Sequence, residues 1–135
     1  MAEEVLVKES ISREMISAGD RLARHIVGSE LPIDAVLWLY VPESNSWRFV
    51  VASPEVSASG PKSVYQRIRS IIEQIPQSDN QAVGWDDIFV VDSKDPLIQL
   101  LRQALHSSKE VSGLRMSRNV VNGVLIEDAY IYKLV

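Results

Sequence analysis

At 135 residues, with 46% hydrophobic and 24% charged side chains, the chain fits one globular domain that buries roughly two thirds of its unfolded surface. The net charge of −4 and a pI near 5.2 give no general pull on phosphate backbones, so nucleic acid is not an expected partner. The lack of cysteine removes disulfides, thiolate metal sites and thiol nucleophiles. The acidic start does not read as a secretion signal, and no apolar run approaches the roughly 20 residues of a membrane helix. A cytoplasmic protein without membrane contact is the expectation.

Ser10 is placed to cap a first helix, in which Ile11, Met15, Ala18, Leu22 and Ile26 step by three or four and make one buried stripe. Gly28 stands where a left-handed residue ends such a helix. Residues 3–9 read either as an extension of it or as a short strand.

Residues 35–41 and 47–53 form a hairpin signal around the polar run Glu43-Ser44-Asn45-Ser46. The first strand, Ala35-Val36-Leu37-Trp38-Leu39-Tyr40-Val41, has no polar position, which suits a strand buried on both faces. Turning on the polar run sets Tyr40 opposite Phe49 and Trp38 opposite Val51. It gathers Trp38, Tyr40, Trp47 and Phe49 on one face and Leu37, Leu39, Val50 and Ala52 on the other. A face the chain's own helices leave bare is a candidate interface, and these four aromatic side chains are the first candidates for it, with Trp47 the most exposed.

Ser59-Gly60-Pro61 reads as a helix start ahead of the stripe Val64, Ile68, Ile71, Ile72 and Ile75, ended by Pro76. After a polar connection at 77–81, residues 87–92 form a strand. Asp95-Pro96 opens a third helix with Leu97, Leu100, Leu101, Ala104 and Leu105 on one side. A spacer at 107–113 leads to a second hairpin about Asn122-Gly123, a pair suited to a tight turn with positive φ. It pairs Val120 with Leu125, Arg118 with Glu127, Met116 with Ala129 and Leu114 with Ile131. The result is one α+β domain of order α-β-β-α-β-α-β-β, with three amphipathic helices on an antiparallel or mixed sheet of about five strands.

Signals for chemistry are weaker. Asp86, Asp87, Asp92 and Asp95 are four carboxylates within ten residues, the type of group that holds a hard cation. Asp92 and Asp95 are the candidate catalytic pair of a metal-dependent phosphodiester hydrolase, with Asp34 or Glu43 as further donors. Capping and turn roles explain most of these acids as well, and the acid-x-lysine pattern of metal nucleases is missing where Trp47-Arg48-Phe49 stands. His25 and His106 fall in the last turns of helices, where a cation suits the helix end. Arg102, Lys109, Arg115 and Arg118 suit solvated faces and cross-strand pairs. No phosphate loop, dinucleotide turn or zinc motif is present, and no cofactor is expected. The leading expectation is a non-catalytic protein-interaction module, homodimeric through the first hairpin or the C-terminal strands. The hydrolase and a small-ligand sensor domain are the alternatives.

Overall fold

The computed structural model describes residues 10–76, 83–105 and 113–135. Residues 3–9, the connection at 77–81, His106 and Lys109 lie outside them, as does most of the spacer at 107–113. Four helices and five strands follow in the order α1 (Arg13–Val27), β1 (Ala35–Val41), β2 (Ser46–Ser53), α2 (Glu55–Ser59), α3 (Pro61–Glu73), β3 (Ile88–Asp92), α4 (Pro96–Ala104), β4 (Leu114–Val121) and β5 (Val124–Leu134). The sheet is mixed, ordered β3-β2-β1-β5-β4, with β2 and β3 parallel and every other pair antiparallel. α2 and α3 form the crossover that parallel pairing needs. The short α2 is the helix not anticipated from periodicity.

α1 begins at Arg13, and Ser12 rather than Ser10 caps it, with its hydroxyl accepting from the Met15 N–H at 3.1 Å. Gly28 keeps a right-handed conformation, φ −77°, so the helix ends without a left-handed residue.

β1 and β2 pair Trp38 with Phe49 and Tyr40 with Trp47, two residues out of the expected register. Proline has no N–H for a ladder, so the turn opens at Pro42 and closes at Asn45, in left-handed conformation at φ 46°. Ser46 is thereby returned to the strand opposite Val41. A shift of two keeps side-chain parity, and the aromatic and aliphatic faces remain as sorted by the sequence.

The aromatic face is core. α1 and α3 cover it, and Trp38 and Phe49 are fully buried with rings 5.1 Å apart, edge to face. Tyr40 and Trp47 are buried beside them at 5.5 Å. Tyr132 joins the cluster because the β1–β5 register slips between Val36 and Leu37, leaving this tyrosine with no residue opposite. Its hydroxyl donates to the Ile16 carbonyl at 2.7 Å, and the Trp38 Nε1–H donates to the Met15 carbonyl at 3.1 Å. Two aromatic side chains of the sheet thus satisfy carbonyls of α1. They can approach only because Gly19 lies between them: a methyl group there would run into both Tyr132 and Trp38.

The aliphatic face carries a second, smaller core of Ala35, Leu37, Val50, Ala52, Ala129 and Ile131 under α4. α4 starts at Pro96 as the sequence implies, with the Asp95 carboxylate accepting from the Leu97 N–H at 2.9 Å. Its fully buried side chains are Ile98 and Leu101, so Leu97 and Leu100 are turned aside and only half buried.

The β4–β5 register is the expected one, with a break. Arg118 has a left-handed backbone, φ 52°, and is absent with Glu127 from the ladder between Ser117–Asp128 and Asn119–Ile126. Side-chain parity inverts there. Met116 and Ala129 on one side of the break share the α4 face with Val121 and Ile126 on the other. Val120 and Leu125, expected on that face, are turned outward.

Candidate interaction surface

The structure takes the four first candidates out of contention as a surface. Trp38, Tyr40, Trp47 and Phe49 are 7% exposed or less, including Trp47, which its place beside the loop had suggested would be accessible. The incompletely covered face is the opposite one, because two longer helices lie on the aromatic side and only nine-residue α4 on the aliphatic side.

An open groove of about 180 Å³ lies at the uncovered end of that face. Leu39 and Val41 of β1 form its floor, Leu97 and Leu100 of α4 one wall, and the run Val124-Leu125-Ile126 of β5 the other. The charged side chains along it are Glu43 and Glu127, both acidic. Beyond it the hairpin tip presents Val120 at 68% exposure and Val124 and Leu125 at 51% each. Three large aliphatic side chains at one tip, continuous with an apolar groove, differ from the scattered single exposures normal on a surface. The sequence named the C-terminal strands only as an alternative interface and none of these residues, because the signal lies in the backbone break at Arg118, which no alternation of residue types announces.

The two edges of the sheet differ. At β3 the Tyr65 hydroxyl accepts from the Val90 N–H at 2.9 Å, which fills an edge position with a side chain. The outer edge of β4 has no such partner among the described residues. Arg115 crosses the end of the β4–β5 hairpin away from the tip and binds buried Asp128 through two hydrogen bonds of 2.6 Å. That hydrogen bonding, against the cost of burial, raises the Arg115 pKa. Arg118 and Glu127, the pair expected from sequence, form no ion pair with each other or with any described residue, and Arg118 is exposed.

The four clustered aspartates are divided by the strand they flank. Asp86 and Asp87 lie in the turn entering β3, where the Asp87 carboxylate accepts from the Gly84 N–H at 2.9 Å. Asp92 is the last residue of β3, and Asp95 lies just beyond it. Asp92 accepts from the Lys94 N–H at 2.8 Å and from the Ser57 hydroxyl, which ties α2 to the strand end. Those bonds, the Ser57 one foremost, lower its pKa. Asp95 is the helix cap, and Asp34 lies 3.7 Å from Arg102, which also donates to the main-chain oxygens of Val135 at 2.7 Å and Ser93 at 3.1 Å. Among the described residues no three histidine or carboxylate side chains come together as ligands for one ion. His25 is exposed on α1. No described helix is long and apolar enough to cross a membrane.

No family model, curated protein or solved structure matches the chain, so its own residues carry the functional reading.

Proposed function

We propose that the chain is a non-catalytic interaction and homodimerisation module of the cytoplasm, working through the β4–β5 tip and the adjoining groove. One observation carries this: Val120, Val124 and Leu125 are exposed together at the hairpin tip, and that tip adjoins apolar Leu97 and Leu100 on the sheet face with the lesser helical cover. An apolar patch bordered by isolated charges is the usual make-up of a protein contact. The groove, at about 180 Å³, is smaller than the roughly 300–1,000 Å³ of metabolite pockets, so it suits one or two inserted side chains. Three aspartates of the hydrolase alternative, Asp87, Asp92 and Asp95, already serve as caps and turn acceptors, and among the described residues no three acids gather for one ion.

In-cell photo-crosslinking tests the surface. With p-benzoylphenylalanine in place of Leu125, a discrete adduct of defined mass is expected, and the same group in place of Lys62, exposed on α3, gives none. Absence of an adduct at position 125 would overturn the proposal.

A further inference from the structure

The tip holds both halves of an ion pair that its own backbone prevents. Arg118 and Glu127 occupy opposing positions of one hairpin, yet the left-handed conformation at Arg118 removes both from the ladder and leaves each without a partner among the described residues. The same turn of the backbone faces Val120 and Leu125 outward beside them. A left-handed arginine is strained by roughly 1–2 kcal/mol relative to the right-handed form, and such strain tends to persist where function requires it.

Resting on the surface proposed above, we infer that its occupant is a second copy of the chain, bound about a two-fold axis at the tip. Arg118 of each copy meets Glu127 on the groove of the other, and the aliphatic tips pack between the two ion pairs. Charge complementarity selects this occupant. The groove offers acid alone, Glu43 and Glu127, and so asks for an apolar segment bearing a cation. Arg118 with exposed Val120 two residues on sets a cation next to an aliphatic side chain, and a two-fold axis makes the contact reciprocal without further residues.

Sedimentation velocity on the purified full chain, from low micromolar to near-millimolar concentration, is the test. The wild type is expected to dimerise reversibly. R118E and E127R should each weaken association at least about tenfold, and R118E/E127R should recover most of the loss because the signs are exchanged on both copies. R118G keeps the backbone turn without the charge, and an equal loss in that variant with an unchanged circular dichroism spectrum separates a missing ion pair from misfolding. A wild type that stays monomeric throughout, single variants that associate unchanged, or a double variant without recovery would each overturn the inference. If the position-125 adduct nonetheless forms, with a mass other than twice the chain, the tip stands as a protein contact while self-pairing, and with it the homodimerisation part of the proposed function, fails.

Discussion

Gly19 sets the distance between α1 and the sheet, and it does so against helix propensity. Alanine is ordinarily about 1 kcal/mol better than glycine inside a helix. Here its methyl group would press on the Tyr132 hydroxyl and the Trp38 indole, two groups already committed to α1 carbonyls. Gly19→Ala should therefore destabilise the fold by about 1–3 kcal/mol, the range of overpacked cores, read as a lower urea midpoint at constant slope. Tyr132 adds a pH limit. Burial, outweighing its hydrogen bond with Trp38, raises the phenol pKa well above the ordinary value, so the folded chain holds the neutral form. The unfolded phenol ionises near pH 10, so the contribution is complete below that pH and is lost as pH rises above it. Tyr132→Phe should cost about 1 kcal/mol at neutral pH through the lost hydrogen bond. It should also flatten the decline of stability above pH about 10 in alkaline denaturant titrations.

At the scale of elements, sequence pattern resolved what depends on periodicity and lost what depends on single backbone angles. The stripe of α1, the Pro61 and Pro96 helix starts and the sorting of aromatic from aliphatic residues in β1 and β2 all follow from spacing, and each is present. The two-residue shift in the first hairpin was legible in Pro42, whose missing N–H mattered more than the polarity of Ser46. The inversion at Arg118 was not legible. Arginine carries no preference for positive φ, and only tertiary packing of Met116, Val121 and Ile126 under α4 makes the turn worthwhile. That is why the candidate surface moved from one hairpin to the other. The angle also yields a prediction opposite in sign to the association test: Arg118→Gly relieves the left-handed strain and should raise monomer stability by about 0.5–1 kcal/mol in urea unfolding at low protein concentration.

Across the whole molecule the two sheet faces are finished to different degrees, and tryptophan reports on the closed, aromatic one. Trp38 and Trp47 lie in the core, whereas Trp85 is 39% exposed, edge-on to Tyr65 with Arg69 over its ring at 5.5 Å. Iodide should quench a single class of emission, and Trp85→Phe should abolish that quenching while the remaining fluorescence stays constant. Quenching that persists in Trp85→Phe would mean that α1 and α3 do not seal the aromatic face.

The Tyr65 hydroxyl on β3 has a consequence for size. A sheet able to recruit strands at both ends is a monomer of a filament, because each addition leaves a fresh end for the next. Here the Tyr65 hydroxyl takes up one N–H of the β3 edge, so under the proposed pairing a copy joined at the hairpin leaves outward an edge whose ladder is interrupted at Val90. Under the proposed two-fold pairing, association would end at two.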